Sequence, residues 1–210
     1  FFGYHVAVQR RLIRHFLSLA GLDPRRVSYG LIDRLVTRFS QGPGTVQVSS
    51  DLTASYTGRL ILLGAKAPAF EEHIGFGSNT IQAIDAHLDV DDVLRPEYPT
   101  RFTAITPFEA WFDSGLLPKN LVLRTIRPGD RIRPFGLNGS AKVSDVLIDR
   151  KVPRLLRDEV PVLAGPDEVF WIVGVRASET TRIPKSSNNA VRFRFNGSWR
   201  RLYSATQQHT

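Results

Sequence analysis

Between residues 6 and 20, Leu12, Ile13, Phe16, Leu17 and Ala20 recur at intervals of three and four, while Arg10, Arg11 and Arg14 fall on other faces. That spacing predicts an amphipathic helix, with Gly21 ending it. Asp23-Pro24 or Ser28 can open a second helix whose apolar face is Leu31, Leu35, Val36 and Phe39. The run Gln41-Gly42-Pro43-Gly44 stops it. Alternation follows at Val46 and Val48, at Ala54 and Tyr56, and at Leu60, Ile61 and Leu62 after a Gly58-Arg59 turn. This period of two predicts strands with at least one hairpin, so residues 1–65 read as a helix-helix-β-hairpin domain.

From Ala65 to Tyr98 the periodicity fades, glycines 75 and 77 and Pro96 intervene, and the stretch reads as an acidic linker or surface excursion over 66–100. Strand signals return at Phe102–Ile105 and Leu121–Ile126, the latter closed by an Arg127-Pro128-Gly129-Asp130 turn. A short helix is expected over Lys142–Ile148, opening near Ser140 and ended by Pro153. Val160–Leu163 and Val169–Val175 read as strands around Gly165-Pro166-Asp167-Glu168. Over Ala190–Phe195, Val191, Phe193 and Phe195 alternate with Arg192 and Arg194, so the aromatics face a core and the arginines face outward. The expected fold class is therefore α+β, with a small, mainly β domain over 101–204 and a frayed end after Ala205.

Composition narrows the functional classes. With 210 residues, 42% of them hydrophobic, the chain can build one large or two small cores. It has no cysteine, which removes disulfides, thiolate zinc sites and thiol catalysis and is compatible with a cytoplasmic setting. No apolar run approaches the roughly 18 residues of a membrane span, and no signal-peptide pattern opens the chain. The first residue is Phe1 and methionine is absent, so a piece of a longer protein is expected.

The net charge of +8 is unevenly placed. Seven arginines before Ser40 face only Asp23 and Asp33. From Glu71 to Glu97 the sign reverses, with Glu71, Glu72, Asp85, Asp89, Asp91, Asp92 and Glu97 against Arg95. From Arg124 to Arg157 nine basic residues face Asp130, Asp145 and Asp149, and the chain after Lys185 is basic without acids. Such blocks favour polyanions, nucleic acid first among them, although a solvated face gives the same pattern.

The densest segment runs from Arg124 through Arg127-Pro128-Gly129-Asp130-Arg131, Arg133-Pro134-Phe135-Gly136 and Asn138-Gly139-Ser140 to Lys142, and on to Asp149-Arg150-Lys151-Val152-Pro153. Arg131 and Arg133, two apart in a short strand, share a face. Arginine forks suit phosphates, and glycines 129, 136 and 139 let backbone N–H groups approach a partner closely. The plainer alternative is a Pro-Gly turn whose Asp130 pairs with a neighbouring arginine.

As a block, from about Phe112 to Arg176 and including Arg157-Asp158, Pro161-Val162 and Phe170-Trp171, this segment resembles the C-terminal domain of tRNA(Ile)-lysidine synthetases. The two N-terminal helices and following strands are similar, in element order, to the domain that precedes it there. The resemblance implies a parent ligase that uses ATP, with magnesium, to attach lysine to carbon 2 of the wobble cytidine of tRNA(Ile) bearing a CAU anticodon. It implies that this chain is the tRNA-recognising C-terminal portion, without a catalytic residue, cofactor or metal of its own. The pyrophosphate loop of SGGxDS type is absent from the sequence, and Gly75-Phe76-Gly77-Ser78 lacks its paired glycines and aspartate. The RNA-contacting candidates are Arg124, Arg127, Arg131, Arg133, Lys142, Arg150, Lys151, Arg154 and Arg157, with Arg10, Arg11 and Arg14 as a secondary set.

Other constellations compete weakly. Trp171 and Phe135 could stack on a base, but their apolar strand patterns favour the core. Asp89, Asp91 and Asp92 could attract a hard cation, yet no recognised ligand loop surrounds them. His5, His15, His73, His87 and His209 lack zinc-site spacing, and Ser114 lacks a nucleophile elbow. Two other classes stay open: an interaction module in which the acidic stretch docks on the basic domain or on a sister chain as a homodimer, and a hydrolase using Asp89 or Asp113.

Overall fold

The protein is described by a computed structural model covering residues 1–50, 52–58, 61–64, 68–95, 98, 106–134 and 139–199. It divides into two compact units, Phe1–Lys66 and Ala67–Thr210, and its elements are mixed α+β.

The first unit opens with α1 (Val6–Leu19) and α2 (Tyr29–Ser40). Both starting signals before α2 are used: the Asp23 side chain caps a 3-10 turn over Pro24–Arg26, and Ser28 Oγ accepts from Leu31 N at 3.1 Å to open the α-helix. Helix α1 closes through Gly21, at φ +86°, with Leu22 N donating to Leu17 O and Gly21 N to Ser18 O. Leu31, Leu35, Val36 and Phe39 are buried as their spacing predicts, together with Ile13, Leu17 and Ile32. Burial of each such side chain stabilises the unit by about 1.5–3 kcal/mol. Leu12 and Ala20, expected on the same face, are exposed instead. Gln9 takes an inward position, and its Nε2 donates to Tyr4 O at 2.7 Å. Against the helices packs an antiparallel meander of β1 (Gly44–Gln47), β2 (Thr53–Tyr56) and β3 (Ile61–Gly64). Arg59 of the expected turn and Leu60 of the strand expected after it lie outside the described residues.

The second unit corrects the linker reading. The stretch expected to be an acidic excursion forms β4 (Glu71–His73), β5 (Gly77–Ile81) and β6 (Ala86–Leu94). Next come β7 (Glu109–Asp113), which the alternation did not signal, and β8 (Val122–Thr125). The short hairpin β9 (Arg131–Ile132) and β10 (Ala141–Lys142) leads directly into α3 (Val143–Asp149), followed by α4 (Arg154–Arg157). The chain continues through β11 (Pro161–Ala164), β12 (Val169–Ile172), β13 (Arg176–Ala177) and β14 (Asn189–Gly197). The strand expected at Phe102–Ile105 lies outside the described residues.

Two sheets result. One has the order β10-β9-β12-β11-β8-β4, with β13 beside β12, and the other has the order β5-β6-β14-β7. Pairing is antiparallel except at β9–β12. Strand β14 shows why the linker reading failed. Its nine residues pair from Asn189↔Leu94 to Gly197↔Ala86, so the acidic stretch supplies the strand that covers one side of β14. Val191, Phe193 and Phe195 are buried, as the alternation predicts. Gly197 is required at the end of the ladder, because a Cβ there would come within 2.5 Å of Ala86 Cβ.

Candidate nucleic-acid interface

The turn at the head of the basic segment is built by backbone rules. Asp130 N donates to Arg127 O at 3.1 Å, Pro128 takes the second position and Gly129 sits at φ +91°, which makes a type II turn. Asp130 is the centre of that turn. Its two oxygens accept from Arg124 NH1 and NH2 at 2.8 Å each, and Oδ2 also accepts from Arg127 N at 2.8 Å. Arg124 NH1 donates further to Thr125 O at 3.0 Å. Arg124 is buried and Asp130 nearly so, with side-chain exposures of 8% and 11%. Burial works against ionisation of Asp130 and is the largest single influence, yet the hydrogen bonds from Arg124 and Arg127 N, with the charges of both arginines, together hold the carboxyl below the usual carboxylate range. Arg124 therefore comes off the list of RNA-contacting candidates. Its guanidinium is enclosed and committed to the turn, which is the pairing the plainer reading of this segment anticipated.

Most of the remaining candidates fall into two groups, one in the hairpin and one at the α3–α4 corner. In the hairpin, Arg131 pairs in register with Lys142, so the two share a face, and Arg133 follows two residues on. Arg131 is held by Ser140, with Nε donating to Oγ and NH2 to the carbonyl, both at 2.8 Å. Arg133 is 64% exposed, and its Nε lies 3.8 Å from Glu168. Its carbonyl is clamped by Ser178 Oγ at 3.2 Å and Glu179 N at 2.7 Å. Helix α3, about 10 Å long at seven residues, carries the chain from the hairpin to the second group. There Arg150, Lys151 and Arg154 are exposed and form no ion pair among the described residues. Arg157 is half-buried, and its Nε donates to Val152 O at 2.9 Å. Arg127 is exposed but carries an ion pair with Glu71.

The other features resolve into structural roles. Trp171 is 1% exposed and belongs to the core, while Phe135 and Gly136 lie outside the described residues. Asp91 Oδ2 accepts from Arg192 at 3.0 Å and Arg194 at 3.2 Å, and Arg192 also lies over the Trp111 ring. Asp92, the next residue along β6, points to the opposite face. Among the described residues no three His, Asp or Glu side chains are grouped to hold a metal, so no step is assigned to one. Asp113 Oδ1 accepts from Gly115 N at 2.9 Å and serves a turn, and Ser114 Oγ donates to Asn189 O at 3.3 Å, tying that turn to the start of β14. In the first unit Arg10 is bound to Asp33 and lies over Tyr29, whereas Arg11 and Arg14 are exposed.

Sequence reasoning missed Ser140, Ser178, Glu168 and Glu71 as the residues that hold the cationic side chains and their strand. Only Ser140 carried a local signal, a hydroxyl within the hairpin turn. Glu71 lies 56 residues from its arginine, and nothing in either neighbourhood announces the pairing.

Comparison with known proteins bears on the family and the fold. Residues 121–195 match the family model described as the TilS substrate C-terminal domain. The tRNA(Ile)-lysidine synthase of Geobacter sulfurreducens is 32% identical over 197 residues, which cover 90% of this chain and 41% of that protein. The enzyme of the same name from Symbiobacterium thermophilum is 45% identical over 84 residues, 40% of this chain and 17% of that one. A solved crystal structure of a TilS C-terminal domain superimposes with a TM-score of 0.54 at 18% identity, covering 62% of this chain and 98% of the other, which shows a shared fold. The chain thus spans about two-fifths of the length of the Geobacter relative.

Proposed function

Because the chain carries the TilS substrate C-terminal domain and belongs to the tRNA(Ile)-lysidine synthase family, we propose that it is the tRNA-recognising C-terminal part of such a synthase. The observation that carries this reading is the exposed set of Arg131, Arg133 and Lys142, in the hairpin that follows the turn braced by Arg124 and Asp130, and of Arg150, Lys151 and Arg154 at the α3–α4 corner. A tRNA is read largely through helix shape and phosphates, which such cations can grip while the anticodon is modified elsewhere. Ligation of lysine to the wobble cytidine of tRNA(Ile) with a CAU anticodon, and the ATP that drives it, belong in this reading to a catalytic domain beyond the chain, in a cytoplasmic enzyme. Within the chain the work is binding and orientation, with Arg131 and Arg133 at its centre and Arg11 and Arg14 as a secondary set.

The test is binding of a tRNA(Ile) transcript to the purified chain across salt concentrations. Affinity should fall steeply with salt, and Arg131→Glu with Arg133→Glu should lower the slope of log K against log salt by about two while leaving the melting temperature close to the parent's. Salt-insensitive binding, or none at low salt, refutes the reading. Sizing the same samples addresses the docking alternative. No salt-sensitive dimer is expected, because Asp91 is already paired within its own sheet.

A further inference from the structure

Helix α3 ends with the same closure as α1. Val152 N donates to Leu147 O and Lys151 N to Ile148 O, both at 2.9 Å, so residue 151 occupies the left-handed position that Gly21 fills after α1. Gly21 sits at φ +86° and Lys151 at φ +54°. Only two non-glycine residues have positive φ among those described, and the other, Asp85, is of a type that tolerates it. A lysine side chain gains nothing from this conformation, and glycine would adopt it without strain. The backbone cannot relax, since Val152 and Leu147 are fully buried on one side and Arg157 grips Val152 O on the other. The left-handed backbone therefore sets the Cα–Cβ direction from which an exposed cation leaves the surface, between Arg150 and Arg154, which are also exposed and form no ion pair among the described residues.

We propose that Lys151 is a direct phosphate contact of the RNA, presented from the corner between α3 and α4, and that its left-handed backbone is retained at the expense of stability to aim it. This rests on the tRNA-binding reading above and adds a residue-level device to it. The competing account is that Lys151 simply offsets the partial negative charge at the end of α3. The two accounts predict opposite signs.

The experiment measures thermal melting and tRNA(Ile) binding of the full chain, of Lys151→Gly and of Lys151→Arg. Under the proposal Lys151→Gly raises Tm by about 2–4 °C through relief of the strain. It also lowers the salt slope by about one and weakens binding several-fold. Lys151→Arg keeps both Tm and affinity near the parent's. A glycine variant that melts lower yet binds as well as the parent would make Lys151 a helix-end residue and overturn the proposal, as would a stabilised variant with unchanged binding. Failure of the parent chain itself to bind tRNA would instead refute the functional reading, so the two failures are separable.

Discussion

Strand β14 and the stretch from β9 to α4 are alike in sequence, each studded with arginines, and they end in opposite electrostatic states. In β14, Arg192 and Arg194 converge on Asp91 of the neighbouring strand, and Arg192 also lies over Trp111. In the hairpin and the α3–α4 corner, Lys142, Arg150, Lys151 and Arg154 meet no carboxylate among the described residues, and Arg133 has only a 3.8 Å approach to Glu168. The difference is a matter of what pairs alongside. Antiparallel register sets β6, with its alternating aspartates, directly against β14, whereas β10 is the end strand of its sheet, pairs only with β9 among the described residues and meets no acid-bearing strand on its outer edge there. Positive charge in a sequence therefore marks an anion-binding surface only where the adjoining strand does not answer it.

This contrast can be broken from either side. The largest effect is expected from Asp130→Ala, which strands the buried Arg124 guanidinium and should cost about 3–5 kcal/mol in denaturant unfolding. A loss below about 1 kcal/mol would mean that the pair does not hold the turn. The same pair predicts an acid dependence. With the Asp130 pKa depressed in the folded state, its contribution is complete above the ordinary carboxylate value of 3.8 and is lost as pH falls through the lower folded value. The stability gap between parent and Asp130→Asn should thus be constant near neutrality and narrow below about pH 4. The smallest effect is expected from Arg192→Gln with Arg194→Gln. Neutralising these partly exposed pairs should cost at most about 1 kcal/mol and leave tRNA affinity within about two-fold. A large loss of binding would erase the distinction drawn between the two basic regions.

Much of this was legible along the chain. The caps at Asp23 and Ser28, the glycine stop at Gly21 and the Pro128-Gly129 turn are contacts between residues a few positions apart, so the local order of side chains suffices to announce them. The alternation in β14 was equally plain, because a strand with one buried face must alternate. The stretch from Glu71 to Leu94 was misread because its acids and glycines outweighed a short alternation, Ala86, Leu88 and Val90 against His87, Asp89 and Asp91, that buries one face of β6. Its identity as strand depends on partners at 122–124 and 189–197.

The sequence by itself determined the α+β character, the first two helices with their ends, the place of the turn before Arg131 and the family likeness, all of which are written in neighbouring residues or in fixed spacing. Only the tertiary structure decided which arginines are available. Arg124 is buried against Asp130, Arg127 meets Glu71, and Arg192 and Arg194 share Asp91, while the hairpin and helix-corner cations stay exposed. The reason is that charge pairing and burial are set by register between distant strands, with Arg192 and Asp91 lying 101 residues apart, and no local pattern encodes that distance.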